Sequence, residues 1–502
     1  MKFSEIIRGV TVTKMFHLIY GHMTPTQEIE INRIQYDSRK VTHGDLFVAI
    51  RGTRSDGHKF IEDAVERGAI SIILEDDALL PDSYFLHKGV MKVVVSNSRL
   101  VLAQIASNYY YDPSSKLKMI GVTGTNGKTT TTHLIKSVLE ATGKKTGLIG
   151  TIDYRIGDEI FPATHTTPES LELYDLLNRM VDANCAYAVM EVSSHALHQN
   201  RVHGIDFSSA VFTNLTQDHL DYHKSMDEYF EAKAILFDNL SSSSHAILNA
   251  DDEWGRKINS RTKASVTTYG ISDAAAVRAS NVRMNMEGSG FTIIDDGNKL
   301  DIETKLIGRF NLSNILAAFA TCKEIGIPVS DIQRALKNIG PVRGRFEQNI
   351  SQAGWTAIID YAHTHDALEK VLSAIHDLYG NNRSGKIITV FGCGGDRDRG
   401  KRAKMADVAT RLSDITIVTS DNPRNEDPEK IIDEVMKGAR PEAQVFRLAD
   451  RATAIKKAIS FASKGDVVLI AGKGHEEYQI IGNNKIPFSD KTLVDSLINS
   501  KI

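Results

Sequence analysis

What most limits how this chain can fold is an alternation, kept up over nearly its whole length, of short apolar runs with stretches of helical period. Residues 45–50, 69–74, 92–96, 118–122, 187–192, 210–214, 356–360, 387–391, 415–419 and 466–471 read as strands. Several are continuous Val, Ile and Leu, the pattern of parallel strands buried on both faces. Strands that alternate with helices imply an α/β fold. At roughly 100–200 residues per domain, 502 residues make about three domains. Breaks at YDPSSK (111–116) and GPVRGR (340–345) divide the chain into 1–115, 116–340 and 341–502.

Charge and cysteine usage narrow the function classes. Sixty basic and sixty-three acidic residues leave a formal charge of −3, which gives no reason to expect a nucleic-acid partner. The three cysteines, Cys185, Cys322 and Cys393, lie far apart with no Cys-x-x-Cys, so neither a disulfide framework nor a zinc site is indicated. No apolar run approaches the ~20 residues needed to span a bilayer, and residues 1–20 lack a secretory pattern. A cytoplasmic protein without a membrane span is the expectation.

The segment MIGVTGTNGKTTTTHLIKSVLEATG carries the clearest chemistry. A strand over 118–122 runs into Gly124, Thr125, Asn126, Gly127, Lys128, Thr129 and Thr130. A helix follows, with Leu134, Ile135, Val138 and Leu139 on one face and Gly143 as its stop. Glycines let backbone N–H groups approach phosphate oxygens, and the helix N-terminus adds partial positive charge. Lys128 would reach the β/γ-phosphates and Thr129 would bind Mg²⁺. The full phosphate-loop pattern has Gly where this chain has Val122. The loop alone does not separate a kinase, a hydrolase and a ligase.

Farther on, Glu191 ends an apolar strand and His219 sits in NLTQDHLDYH. Both follow strands, where α/β folds place ligands. Carboxylate and imidazole suit a metal near a phosphate, although a lone His219 also reads as structural. His195, His198 and His203 lie close in sequence, but no Cys and no His-Glu-x-x-His accompanies them, which disfavours zinc. Lys233, in EYFEAKAILF, reads from composition as an exposed lysine whose stem covers a helix.

TGTNGKTT, HTTPES, MEVSSHALHQNR, NLTQDHLDYH, AKAILF, GRFNLSN, GRFE, DYAHT, GCGGDRDRGKR, DNPRNEDP and AGKGHE stand here in the order seen in the Mur ligases, and the resemblance covers almost the whole chain. It implies three domains: an N-terminal α/β uridine-binding domain, a central P-loop ATPase-like domain with a parallel sheet, and a C-terminal Rossmann-like domain. It also implies an ATP-dependent amide-bond ligase of peptidoglycan synthesis, acting through an acyl phosphate, with Mg²⁺ as cofactor and ATP as substrate. Such chemistry needs charge neutralisation and positioning more than a covalent nucleophile, and the chain has no Gly-x-Ser-x-Gly.

By the same resemblance, Lys128 and Thr129 hold phosphates and Mg²⁺, Glu191 and His219 are Mg²⁺ ligands, and Lys233 is the lysine that becomes carbamylated. Asn311, Arg345, Asp360 and His363 resemble nucleotide-facing positions. Ser38 and Asp45, His165, Thr166 and Thr167, and Ser193, Gln199 and Arg201 resemble contacts to a UDP-MurNAc-peptide. Where the family usually has Pro after DYAHT, this chain has His365, which puts the local turn in question.

Asp421, Asn422, Pro423 and Arg424 resemble the motif of the members that add meso-diaminopimelate to UDP-MurNAc-L-Ala-D-Glu. That amino acid has a second carboxylate, which lysine lacks, and a guanidinium binds a carboxylate through two parallel hydrogen bonds. Arg397, Gly472 and Glu476 match the other contacts. The plain alternative pairs Arg424 with Glu426 or Asp427, and reads the run 397–402 as a solvated turn. Competing functions are folylpolyglutamate synthetase, opposed by HTTPES and DNPR; a lysine-adding ligase, opposed by DNPR; and a nucleotide-dependent switch, which needs no acceptor motif. A monomer is expected.

Overall fold

The structure is a computed structural model that describes residues 1–16, 29–52, 55–379 and 385–499. It divides into two compact units, residues 1–121 with 144–208, and residues 122–143 with 209–502.

In the first unit, β1 (Lys14–Phe16), β2 (Ile34–Gln35), β3 (Leu46–Val48), β4 (Ser71–Leu74) and β5 (Met91–Val94) form a sheet in the order β1-β5-β4-β3-β2. β2 to β5 pair in parallel and β1 closes one edge antiparallel. Alternate residues serve opposite faces. Leu46, Val48, Ile73 and Val93 pack with Phe3, Leu102 and Ile105, while Phe47, Ile72 and Leu74 pack with Ile61 and Phe85. The same unit continues with β6 (Lys118–Thr123), β7 (Thr146–Ile149), β8 (Asp153–Ile156), β9 (Glu159–Pro162) and β10 (Tyr187–Glu191), ordered β6-β10-β7-β8-β9. β7 and β10 are parallel, whereas β8 and β9 form an antiparallel extension.

β6 ends in the second unit, where the Thr213 N–H donates to the Thr123 carbonyl at 3.0 Å. Here β11 (Phe207–Phe212), β12 (His245–Asn249) and β13 (Ser265–Gly270) are parallel, and β14 (Val277–Asn285), β15 (Gly288–Asp295) and β16 (Asn298–Thr304) follow at the edge. β14 to β16 pair antiparallel, so the expected parallel sheet carries an antiparallel flank. A further sheet joins β17 (Glu347–Ile350), β18 (Thr356–Asp360), β19 (Ile387–Cys393), β20 (Ile415–Ser420), β21 (Gln444–Arg447) and β22 (Val467–Ala471) in the order β17-β18-β22-β19-β20-β21. All its pairings are parallel except that of β17. Last comes the hairpin β23 (Tyr478–Ile481) and β24 (Asn484–Pro487).

Each apolar run named from the sequence falls on a strand, the largest displacement being at 210–214, where the strand is Phe207–Phe212. His365 is the first residue of the helix His365–Tyr379. Thr364 caps that helix, its Oγ1 accepting from the Ala367 N–H at 3.2 Å. The first helical position is where proline is best tolerated, because its N–H has no intrahelical partner. Histidine therefore replaces proline there without loss of a helical hydrogen bond, and the turn survives.

One polar pair is wholly buried. Arg451 opens the helix Arg451–Phe461, Asp490 opens the helix Asp490–Asn499, and their side chains are both 0% exposed at 2.7 Å. The guanidinium also donates to the Ala471 carbonyl at the end of β22, at 2.9 Å. Breaking such a pair leaves a buried charge without compensation. Asp490→Ala is expected to cost about 3–5 kcal/mol, read as the fall in unfolding free energy in urea.

Candidate active site

β6 carries buried residues to Thr123, and the chain turns at Gly124 with φ 144°. Val122 thus lies inside the strand, and the glycine freedom demanded by the turn is supplied two residues later. A Cβ at Gly124 would meet Thr213 Oγ1, and one at Gly127 would meet Asn314 Oδ1. Asn214 holds the loop from below: its carbonyl accepts from the Thr125 N–H at 2.8 Å and its Oδ1 from the Asn126 N–H at 2.9 Å. Asn126 Nδ2 donates to Asp366 Oδ2 at 2.8 Å. The helix Lys128–Ala141 starts at once, burying Leu134, Ile135, Val138 and Leu139. An amide relay braces this helix, with Thr131 Oγ1 donating to Asn314 Oδ1 at 3.3 Å and Asn314 Nδ2 donating to Asn311 Oδ1 at 3.3 Å.

Two lysines converge on this loop. Lys128 Nζ donates to the carbonyls of Gly124 and Thr125, each at 2.9 Å, and Lys233 Nζ donates to the same Gly124 carbonyl at 2.8 Å. Lys233 is 1% exposed, and Tyr229 presents its ring 4.5 Å from the amine. The exposed reading of Lys233 is therefore corrected: the helix Met226–Asp238 turns it inward among Tyr229, Phe230 and Phe237. Burial, reinforced by the charge of Lys128, holds its amine well below the usual lysine range.

Asp218, which the sequence reading did not single out, organises the histidines. His219 Nε2 lies 3.5 Å and His363 Nε2 3.6 Å from its Oδ2, with Lys401 Nζ 4.0 Å from Oδ1. Burial opposes its ionisation, but His219, His363 and Lys401 hold Asp218 well below the usual carboxylate range. His219 occupies a left-handed backbone, φ 55°, an uncommon conformation for a non-glycine residue. Arg345 donates to Thr129 Oγ1 at 3.1 Å and lies over the Tyr361 ring at 4.4 Å. Its Nε is buried without a hydrogen-bond partner among the described residues. Asp360 is spent on backbone, accepting from Phe346 and Ala362 N–H groups at 2.7 Å each. Asn311 likewise donates to the Ile307 carbonyl at 2.8 Å.

The first unit gathers the residues expected at the peptide substrate. Thr167 Oγ1 donates to the Glu191 carbonyl at 2.8 Å and accepts from the Ser193 N–H at 3.0 Å. Arg201 donates to the Thr167 carbonyl at 2.8 Å and to Gln199 Oε1 at 2.7 Å, and pairs with Glu169 at 2.9 Å. Thr166 meets Thr151 Oγ1 at 3.0 Å, and Thr151 in turn donates to both oxygens of the buried Glu191 carboxylate. HTTPES and MEVSSHALHQNR thus form one hydrogen-bonded cluster. Ser38 is buried on a short turn, and Asp45 is fully buried, holding Arg33 and Thr42. Among the described residues no group of three or more His, Cys, Asp or Glu is placed to hold a metal.

At the ends of β19, β20 and β22, two loops form the candidate acceptor site. Arg424, φ 51°, donates through Nη1 to the Gly395 carbonyl at 2.9 Å and makes no ion pair among the described residues. The expected alternative partners are engaged elsewhere. Glu426 binds Arg402 at 2.8 Å and Arg399 at 2.9 Å, and Asp427 caps the next helix through the Glu429 N–H. The run 397–402 is a solvated turn over Arg397, Arg399 and Gly400, which are exposed, but it turns inward at Lys401 and Arg402, 6% and 1% exposed. Lys473, fully buried and also missed from sequence, donates to Asn422 Oδ1 at 3.1 Å and Glu476 Oε2 at 2.9 Å. The β23–β24 hairpin closes over the motif, with Ile480 N–H on Asn422 Oδ1 at 2.9 Å and Arg424 N–H on the Ile480 carbonyl at 3.0 Å.

Three family models match in order along the chain: the Mur ligase family catalytic domain over 30–110, the Mur ligase middle domain over 122–322, and the Mur ligase glutamate ligase domain over 344–474. A protein of Clostridium tetani named UDP-N-acetylmuramoyl-L-alanyl-D-glutamate–2,6-diaminopimelate ligase is 43% identical over 500 residues, 99% of either chain. The Geobacillus kaustophilus protein of the same name is 46% identical over 479 residues, 94% of this chain and 96% of its own. The chain is a Mur ligase. Among solved structures, one described as a ligase of that same name matches this Mur ligase with TM-score 0.67 and 30% identity, covering 100% of this chain and 99% of the other. MurF from Acinetobacter baumannii, at 19% identity and TM-score 0.63 over 94% of both chains, shares the fold. This is the three-domain α/β architecture of the family.

A neutral amine in the core destabilises a fold in proportion to the proton it gives up. With the folded pKa of Lys233 depressed, the unfolded chain binds more protons below about pH 10.4, so that part of the stability rises with pH. Lys233→Met is expected to gain about 1–3 kcal/mol at pH 7 in bicarbonate-free buffer, the gain shrinking as pH approaches 10. Denaturant titration at both pH values reads it out.

Proposed function

We propose that this Mur ligase joins meso-diaminopimelate to UDP-MurNAc-L-Ala-D-Glu, with ATP converted to ADP and phosphate, in peptidoglycan synthesis. The observation that carries the reading is Arg424, a half-buried guanidinium that makes no ion pair among the described residues, on the DNPR loop of a chain whose near-full-length relatives bear the diaminopimelate ligase name. No helix among the described residues is long and apolar enough to cross a membrane. A cytoplasmic monomer is the proposed setting, with domain boundaries near 115 and 340.

The chemistry follows from the groups present. An oxygen of the D-Glu carboxylate attacks the γ-phosphorus, and ADP leaves. The amine of diaminopimelate then attacks the acyl carbon, the tetrahedral intermediate collapses, and phosphate departs with the acyl oxygen. Lys128, the backbone of Gly124 to Thr130 and Arg345 hold the transferring phosphoryl charge. Asn311, Asp360 and His363 face the nucleotide. Ser38, His165, Thr166, Thr167, Ser193, Gln199 and Arg201 position the UDP-linked peptide. Arg424 and Arg397 receive the distal carboxylate, Glu476 receives the distal ammonium, and Asp421, Asn422, Pro423 and Gly472 shape the pocket.

Thr129 and His219 of the second unit offer a hydroxyl and an imidazole, and Glu191 of the first offers a carboxylate; each is a donor type that suits Mg²⁺. When bound, Mg²⁺ supplies charge neutralisation on the phosphates. Burial that lowers the Lys233 amine favours the neutral form that carbamylation requires: neutral Nζ attacks CO₂, an N–C bond forms and a proton leaves, so the site becomes an anion.

Phosphate release with ATP, Mg²⁺ and UDP-MurNAc-L-Ala-D-Glu is expected with meso-diaminopimelate as acceptor and not with L-lysine; release with lysine alone would overturn the acceptor assignment. Arg424→Lys keeps the charge and loses the fork, so it is expected to raise KM for diaminopimelate about tenfold or more, in line with the loss of a bidentate charged bond, and to leave KM for ATP unchanged. Lys233→Ala is expected to lose nearly all activity and to regain part of it with a small carboxylic acid.

A further inference from the structure

The candidate acceptor loops after β19 and β20 are joined to each other by backbone and side-chain hydrogen bonds. The Gly395 N–H donates to the Asn422 carbonyl at 2.9 Å, Asn425 Nδ2 donates to Asp396 Oδ2 at 2.9 Å, and Arg424 Nη1 donates to the Gly395 carbonyl. A Cβ at Gly395 would strike the Pro423 carbonyl, so the backbones touch there. At the centre of the junction is Glu426. Its Oε1 accepts from the Asp396 N–H at 2.6 Å and from Arg402 Nη2 at 2.8 Å, and its Oε2 from Arg402 Nη1 at 3.0 Å and Arg399 Nη2 at 2.9 Å. Arg402 is 1% exposed and completes its fan on Glu434 Oε2 at 2.8 Å and the Gly394 carbonyl at 3.2 Å.

This geometry sorts the cations of the site. Four arginines, Arg397, Arg399, Arg402 and Arg424, crowd two short loops; Glu426 and Glu434 are taken by Arg399 and Arg402, while Asp421 and Glu476, whose charges reach Arg424, are held by Lys473 and Asn422. Among the described residues Arg397 donates to the Asp396 carbonyl, at 3.2 Å, and Arg424 to carbonyls. Both keep unused donors, and among the described residues neither makes an ion pair with a carboxylate.

We propose that Glu426 is a positioning residue for acceptor selectivity: clamped to Arg402, it locks the 394–399 loop against the 421–426 loop and keeps a carboxylate away from Arg397 and Arg424, so that the free anion they select is the acceptor's. The proposal rests on the diaminopimelate reading above. The hydrogen bonds from Arg402, against the cost of burial, hold the Glu426 carboxyl down at about 2, so the clamp stays charged at any working pH.

The test is the ratio of kcat/KM for meso-diaminopimelate over L-lysine, measured on the full chain with ATP, Mg²⁺ and UDP-MurNAc-L-Ala-D-Glu. A ratio is blind to the fraction of enzyme that is folded. Glu426→Gln keeps an acceptor for the Asp396 N–H but loses the charge; the ratio is expected to fall at least tenfold, through KM for diaminopimelate, with KM for ATP unchanged. Arg402→Lys, which keeps a buried cation but loses the fork, is expected to lower the ratio in the same direction, and it decides the matter should Glu426→Gln fail to fold. A ratio within twofold of the parent in either folded variant overturns the clamp while leaving the diaminopimelate reading intact. A parent enzyme that prefers lysine overturns the reading, and the clamp's purpose with it.

Discussion

Two ammonium-bearing side chains share one carbonyl oxygen, and much of this enzyme depends on that crowding. Gly124 can present its carbonyl to Lys128 and Lys233 together only because β6 ends where it does and because Asn214 fixes the loop from the neighbouring strand. Two full positive charges at one acceptor in a dry core are not tolerated. Lys128 lies nearer solvent and can be neutralised by phosphate. Lys233 has no such outlet, and its amine is held well below the usual lysine range. One carbonyl thus fixes the positions of two lysines, and the crowding together with burial lowers the proton affinity of the inner one.

The electrostatics repeat this logic elsewhere in the second unit. Asp218 is surrounded by His219, His363 and Lys401 and stays ionised in spite of burial. Arg345 reaches Thr129 with one donor satisfied and a buried Nε left over. A region that holds several donors and few acceptors is prepared for an anion, and its cost is met by the apolar packing of the sheets around it.

Local pattern explains which parts were readable from sequence. β19 is buried at every residue, so its run of apolar side chains announced it. β14 alternates between buried and exposed, and β9 and β24 are largely exposed, so they gave no continuous run to find. The phosphate loop was legible because its chemistry is written in consecutive residues. Its supports were not: Asn214 and Asp366 meet Asn126 across 88 and 240 residues of chain. Composition alone read Lys233 as exposed, because an amphipathic helix does not say which edge of its stripe a lysine will occupy; the family resemblance placed it in the site instead. Glu426 was read as a neighbour of Arg424 because it is two residues away, whereas its partner Arg402 is 24 residues distant in sequence.

The interlocked acceptor loops also bear on how such an enzyme can diverge. A carboxylate of one loop is seated on a buried guanidinium at the base of the other, so neither segment is an independent module. A graft of residues 421–426 alone would strand Arg402, and a graft of 394–399 alone would strand Asn425 and Glu426. If these loops select the acceptor as proposed, that preference is carried by a linked pair of segments, and exchanging one without the other breaks contacts that both depend on.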